Sequence, residues 1–403
     1  MFENIFLKCS DCGKEYSIMQ YICENRDGIL EAQYDFPKIK SLSELKDENR
    51  PGIWKYKKLL PQIKNIVSLN EGNTPLIKSK KIGPELNIEL YIKDEGRNPT
   101  NSFKDRAGSA MLSIEKELKH DSVTTSSSGN ASAAIACYSA IAEMNCHIFM
   151  CNPTQEKLVS TQSFNPEIYR VNAEIGRVIS LIESISLKYG WNILNTAAFY
   201  NPFAVEGYKT IAYELYEQYK VPDVVISPIG SGTLLIAIWK GFKELKDLGL
   251  INKIPRLIGV QSEGCNPVVQ AFKKNQVEVE SVKESTTIAG GIGLSDPGID
   301  GKVTLRKIRE TQGQMVEITD EDILNMLYSL PAKEGIFGGP TGVASIAALK
   351  KAKEIGAIKE NEHVVCILTE SGFKDLGLFG KKLKKVDMIE PTLEYLDKYL
   401  NSK

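Results

Sequence analysis

From about residue 66 the chain alternates short β-branched runs with longer stretches whose apolar positions recur three and four residues apart. The runs at 89–93, 146–151, 223–227, 256–261 and 363–369 read as strands. The stretches 108–119, 131–143, 206–219, 233–245, 320–330 and 343–355 read as helices. Thr319, with Asp322 three residues on, resembles a capping box at the start of one of them. Alternation of this kind predicts βα units, and hence a mostly parallel sheet flanked by helices. No internal repeat, low-complexity tract or long disordered linker interrupts it, so the elements serve a single two-domain body.

The first 35 residues are different in character. Cys9-x-x-Cys12-Gly13 and then Cys23 stand in a polar stretch with aromatics at Tyr16, Tyr21 and Tyr34, which suggests a small ribbon-like appendage. Tetrahedral zinc wants four thiolate or imidazole ligands. The position three after Cys23 is Arg26, and His120, His147 and His363 all lie far away in sequence. The expectation is therefore a degenerate ribbon that holds no metal.

Composition then narrows the function classes. A chain of 403 residues, 42% hydrophobic, has room for two domains and an appendage, since single cores stop growing at roughly 250–300 residues. Lysine and arginine number 50 against 51 acidic residues, a net charge of −1, so no basic excess exists to hold nucleic acid or an anionic membrane. No apolar stretch approaches the roughly 20 residues of a membrane span. Lys8 comes before any long apolar run, which argues against a secretory leader and for a cytoplasmic protein. The 8 cysteines lack regular spacing and read as reduced thiols, mostly core filler.

Three segments carry chemistry. Asn98-Pro99-Thr100-Asn101-Ser102-Phe103-Lys104-Asp105-Arg106 follows a strand and opens a helix, which Asn101 or Ser102 could cap. Lys104 then lies in the first turn with its side chain directed toward the strand ends, where ligand clefts of open α/β sheets lie. Partial burial beside the positive end of a helix favours the free amine that imine formation needs. Ser126-Ser127-Ser128-Gly129-Asn130-Ala131 ends a strand and starts an apolar helix, so its N–H groups and hydroxyls suit a carboxylate. Val224 to Thr233 is a strand running into Gly230-Ser231-Gly232-Thr233, whose glycines let backbone N–H groups approach a phosphate. The loop lacks a Gly-Lys-Ser/Thr ending, which disfavours a nucleoside triphosphate. Taken singly, these are a surface lysine, a strand-to-helix turn and a short glycine loop; their order along the chain makes them informative.

With Leu368-Thr369-Glu370-Ser371-Gly372-Phe373-Lys374-Asp375 as a fourth landmark, the order resembles that of the fold-type II pyridoxal 5'-phosphate (PLP) enzymes, and within them the threonine synthases. The likeness spans roughly 66–376 and includes Asn70-Glu71-Gly72-Asn73-Thr74-Pro75-Leu76, Glu206-Gly207-Tyr208-Lys209-Thr210 and Glu334-Gly335-Ile336-Phe337. It implies an α/β architecture of two open, mostly parallel sheets flanked by helices, with the small ribbon at the N-terminus. The implied division is 1–35 for the ribbon, 36–96 and 201–385 for a large phosphate-binding domain, 97–200 for a small domain, and 386–403 for a C-terminal helix. Lys104 is implied to carry PLP as a Schiff base and to shuttle protons. Phe103 is implied to lie against the ring, Asn130 to bond the 3'-oxygen, Gly230, Ser231, Gly232 and Thr233 to hold the phosphate, and Thr369 to face the pyridine nitrogen. Ser127, Ser128, Gly129 and Asn130 are then the seat of a small amino-acid substrate, and a homodimer is implied by the family alone. Thr369 has a plainer reading, a strand-end hydroxyl satisfying a backbone carbonyl.

The chain also departs from the pattern. Threonine synthases have an Asn-Ser pair and an Arg shortly before the Glu-Gly-x-Lys-Thr segment, to hold the substrate phosphate. Counting back from Glu206 finds Ala198, Phe199 and Ala204 there, with Lys209 and Arg97 as basic residues that could substitute. The Gly-Ser-Gly-Thr loop is closer to cysteine synthases and serine or threonine dehydratases. Gly338-Gly339-Pro340-Thr341-Gly342 replaces a Cys-Glu-Pro-Ala-Ser type of stretch. Three functions follow: a threonine synthase-like reaction of O-phosphohomoserine with water, a β-replacement or β-elimination on an altered substrate, and a non-catalytic PLP-binding protein, against which the intact Lys104 speaks.

Overall fold

The computed structural model describes residues 5–36, 39–127, 129–151, 153–172, 175–380, 383 and 386–402. Its largest sheet has six strands in the order Gln314–Ile318, Arg256–Ser262, Val224–Pro228, His363–Leu368, Glu89–Asp94 and Leu76–Lys78. All pairs are parallel except the edge strand Leu76–Lys78, which runs antiparallel to Glu89–Asp94. A second sheet is parallel throughout, in the order Glu167–Val171, Asn145–Cys151, Ser122–Ser126, Asn192–Ile193. The N-terminal residues form a third, antiparallel sheet of Glu15–Tyr16, Ile5–Cys9 and Leu30–Tyr34.

Burial on both faces explains why the large sheet's central strands read as near-continuous apolar runs. Val225, Val365 and Ile367 join one core with the helices Lys104–Glu117, Pro202–Gln218 and Thr233–Asp247. Val224, Ile226, Val364, Cys366 and Leu368, the alternate positions, join the other core with Pro340–Ala347 and Asp320–Glu334. The five expected strands are present to within a residue or so at their ends. Gln314–Ile318 and Glu167–Val171 went unread because polar residues break up short segments at the sheet edges.

Helix starts show a second kind of difference. The helix opens at Lys104, as its segment predicts, while its apolar spacing reads only from 108 because Asp105 and Arg106 are polar by type yet wholly buried. The helix expected over 206–219 begins at Pro202, with the Asn201 side chain accepting from the Phe203 N–H. The segment expected over 343–355 is two helices, Pro340–Ala347 and Leu349–Glu354. The capping box of Thr319 and Asp322 is present, and it opens Asp320–Glu334. No helix among the described residues is long and apolar enough to cross a membrane.

Candidate active site

The chemistry gathers at the carboxyl ends of the large sheet's strands. Lys104 Nζ donates to Thr196 Oγ1 at 2.8 Å and sits 4.7 Å and 5.4 Å from the ring centres of Phe103 and Tyr208. Burial pushes the Lys104 ammonium down to about 8, with Asp300 acting in the opposite sense. Asn101 and Ser102 do not cap this helix: Phe103 precedes it, and the Ser102 hydroxyl only accepts from the Lys104 N–H at 3.4 Å. The turn is fixed instead by Asp105, whose carboxylate accepts the Thr100 N–H at 2.9 Å and the Thr100 hydroxyl at 2.8 Å.

Thr369 lies beside the lysine, since its carbonyl accepts the Phe103 N–H at 3.0 Å. It is 2% exposed, yet its hydroxyl has no hydrogen-bond partner among the described residues and satisfies no carbonyl of theirs. An orphaned buried hydroxyl costs free energy unless something else fills the site. Asn130 opens the helix Asn130–Ala142 and donates from Nδ2 to the buried carboxylate of Glu370. The other Glu370 oxygen accepts the Thr341 N–H at 3.1 Å, and burial raises its carboxyl above the ordinary range. The Ser127 hydroxyl accepts from the Gly129 N–H at 3.3 Å; Ser128 lies outside the described residues.

The glycine loop is built of backbone for a steric reason. Gly232 has φ +102, and a Cβ there would fall 1.8 Å from Thr304 Oγ1. A Cβ on Gly230 would fall 2.7 Å from the Gly291 carbonyl. Gly232 supplies no side-chain cap to the helix Thr233–Asp247, and the Thr233 N–H meets the Ser231 hydroxyl only at 3.5 Å, a long contact that an anion could replace. The Thr233 hydroxyl donates to Asp300 at 2.6 Å and meets the Ser231 hydroxyl at 2.9 Å.

Ala198, Phe199 and Ala204 are buried and apolar. The N–H groups of Ala198 and Phe199 donate to Asp300 at 2.9 and 2.7 Å. The same loop still sends a polar side chain to the lysine, from Thr196. Of the two basic residues named for the substrate phosphate, Lys209 is fully engaged, whereas Arg97 commits only its Nε. Lys209 is fully buried between Glu206 at 2.5 Å and Glu244 at 3.0 Å, and Arg97 turns to Asp94 at 3.1 Å. In the ribbon, the sulfurs of Cys9, Cys12 and Cys23 lie within 4.8 Å of one another.

Sequence reasoning missed Thr196, Asp300 and a role for Glu370. Thr196 belongs to an Asn-Thr pair upstream of Glu206 that a strict count passes over; nothing in the sequence marks Asp300. A buried amine near neutrality, an orphaned hydroxyl beside it and a glycine cradle at a helix start fit a group with an aldehyde, a ring nitrogen and a phosphate.

The comparisons agree. The family model described as pyridoxal-phosphate dependent enzyme matches residues 67–370. The threonine synthase of Methanocaldococcus jannaschii is 38% identical over 379 residues, covering 91% of this chain and 92% of the relative. That of Methanosarcina acetivorans is 35% identical over 378 residues, covering 92% of each. Among solved structures, the processed form of threonine deaminase isoform 2 from Solanum lycopersicum superposes with a TM-score of 0.66 at 22% identity, over 76% of this chain and 86% of that one, a likeness of fold. The chain belongs to the pyridoxal-phosphate dependent enzymes, as a threonine synthase-like member of their fold-type II group.

Proposed function

We propose that this enzyme converts O-phosphohomoserine and water to threonine and phosphate, with Lys104 as the residue that holds the cofactor and moves protons at the substrate's carbons. When bound, PLP supplies an electron sink for carbanions. The observation that carries the reading is the Lys104 amine, lowered by burial and held by Thr196 beside the unpartnered Thr369 hydroxyl. A lysine with pKa near 8 is part free base at neutral pH, so it can take a proton from one carbon and return it to another. Thr369 offers a neutral hydroxyl to the ring nitrogen and so leaves it unprotonated. Asn130, with Nδ2 held by Glu370, would meet the 3'-oxygen of the bound cofactor, and Phe103 would lie against its ring. Gly230 to Thr233 hold the phosphate of the cofactor mainly through backbone N–H groups, the Thr233 hydroxyl being engaged by Asp300. The turn at Ser127, Ser128, Gly129 and Asn130 receives the substrate carboxylate. In the net reaction the bond from Cγ to the phosphate oxygen and one Cβ–H bond break, the water oxygen bonds to Cβ, Cγ gains a hydrogen, and the remaining proton of water leaves with phosphate.

The same reading places 97–200 as a small domain against a large one of 36–96 and 201–385, and takes the enzyme as a cytoplasmic homodimer. One observation favours a second reading, β-replacement or β-elimination with a less charged leaving group. The Ala198 and Phe199 N–H groups, a natural anion seat, are occupied by the carboxylate of Asp300. Assay of O-phosphohomoserine, O-phosphoserine, O-acetylserine, serine and threonine side by side decides between them. Threonine and phosphate as the products of the best substrate support the proposal; pyruvate, ketobutyrate or a β-substituted amino acid overturns it.

A further inference from the structure

A dianionic leaving group needs a cation, and most of the basic side chains near the site are already engaged. Lys209 and Lys240 share Glu206, Arg106 is held by Glu95 and Glu214, and Arg97 pairs with Asp94 through its Nε while the rest of its side chain is exposed. Ala204, where the resembled pattern has arginine, is fully buried. The exception comes from the N-terminal ribbon. Arg26 makes no ion pair among those between described residues, and its guanidinium lies 5.2 Å from the centre of the Phe199 ring. Phe199 is the residue whose N–H binds Asp300, next to Thr233 and the glycine loop. Tyr200, the next residue, feels Arg26 together with Glu183, Asp300 and Asp296, so without Arg26 that side of the loop would repel an anion.

The ribbon is fastened where it could place such a group. The Tyr34 hydroxyl bonds Glu206, and Lys240 Nζ reaches the Ala32 carbonyl at 2.8 Å. The Tyr21 hydroxyl donates to Glu115 at 3.0 Å, and its ring meets Phe203 at 5.5 Å. Arg26 itself has φ +54, a left-handed conformation that a non-glycine residue adopts at a cost, and its N–H closes on the Cys23 carbonyl at 2.8 Å. An exposed arginine in a conformation suited to glycine, without an ion pair among the described residues and set over the Phe199 ring, points to a task for its charge.

We propose that Arg26 is the residue that recognises the anionic leaving group of the substrate, a phosphate, from the N-terminal ribbon. This rests on the O-phosphohomoserine reading above. A guanidinium offers a phosphate two parallel N–H donors, and the aromatic face beneath it keeps the fork flat.

The test uses full-length, cofactor-loaded enzyme with Arg26→Gly and Arg26→Lys. Glycine suits φ +54, so Arg26→Gly is expected to melt no lower than the parent and to keep the same visible cofactor band. Loss of charge-assisted bonds predicts a rise of about 10- to 100-fold in KM for O-phosphohomoserine and in the inhibition constant of inorganic phosphate, with a smaller change in kcat. Arg26→Lys should fall between. Phosphate inhibition that is equal in parent and Arg26→Gly, or absent from the parent, overturns the role of Arg26. A parent that is inhibited by phosphate in an Arg26-dependent way but does not consume O-phosphohomoserine supports the anion site and overturns the proposed reaction instead.

Discussion

Two polar regions lie within a few residues of one another and are built on opposite terms. Beneath the site, Arg106 is fully buried and satisfied. Its Nε and Nη2 donate to Glu95, both at 2.7 Å, and Nη1 and Nη2 donate to Glu214 at 2.7 and 2.8 Å. Lys93 completes the cluster at 2.7 Å from Glu214. Burial alone would raise the Glu214 carboxyl, but Arg106 and Lys93 outweigh it and hold it well below the carboxylate range. At the site the opposite holds among the described residues: the Thr369 hydroxyl has no partner, the glycine loop's helix start has only a long contact to Ser231, and Lys104 Nζ has only Thr196 as a hydrogen-bond partner. The scaffold has used its hydrogen-bonding capacity; the site keeps some in reserve for what binds there.

The largest expected effect lies on the site's side. Lys104→Ala should abolish the visible band of the loaded enzyme and cut turnover by about 100- to 10,000-fold or more, as loss of a proton-transferring group does. Absorbance and product assays check both, and borohydride trapping of the cofactor on another lysine would break the assignment. On the scaffold's side, Arg106→Leu leaves Glu95 and Glu214 with one cation between them. It should destabilise the protein by about 3–5 kcal/mol, as removal of one partner from a buried ion pair does. Denaturant unfolding of the cofactor-free protein reads it; a loss below about 1 kcal/mol would mean that the cluster is not the closed unit its distances indicate.

The lysine's pKa gives a smaller effect. A value near 8 lies below the ordinary 10.5, so the free amine grows about tenfold per pH unit up to about 8 and levels off above it. Loading of the cofactor-free enzyme, followed by absorbance at saturating PLP, should follow that curve. A rate still climbing steeply toward pH 10 would show that burial leaves this amine unperturbed.

How much of this was legible follows the same division. The sheet strands, the lysine, the asparagine turn and the glycine loop were readable, because each is a local pattern whose chemistry its neighbours reveal. The buried charges were not: Asp105 and Arg106 look like surface residues, which is why the apolar spacing reads from 108 although the helix opens at Lys104. Asp300 stands about a hundred residues from Ala198 and Phe199, and only folding joins them. The count back from Glu206 names Ala198, Phe199 and Ala204 and passes over Thr196, which the loop before Pro202 brings to the lysine. Arg26, set aside as the residue that spoils a metal site, shows its neighbours only in three dimensions.

Thr369 separates the two regions most finely, because removing its hydroxyl should act in opposite directions with and without cofactor. Thr369→Val keeps the side chain's shape and deletes only the oxygen. In the cofactor-free protein that oxygen is buried without a partner, and an unsatisfied buried group costs about 1–3 kcal/mol. The variant should therefore be more stable than the parent by up to about that amount. In the loaded enzyme, on the proposed placement, the hydroxyl would gain a partner in the ring nitrogen, and a neutral hydrogen bond contributes about 0.5–1.5 kcal/mol net. PLP should then bind about 2- to 12-fold more weakly to the variant, since each 1.4 kcal/mol is tenfold. Thermal melts with and without PLP, together with a cofactor titration, measure both signs. If the cofactor-free variant is instead less stable than the parent, the hydroxyl already has a partner, and the site is less open than the scaffold comparison requires.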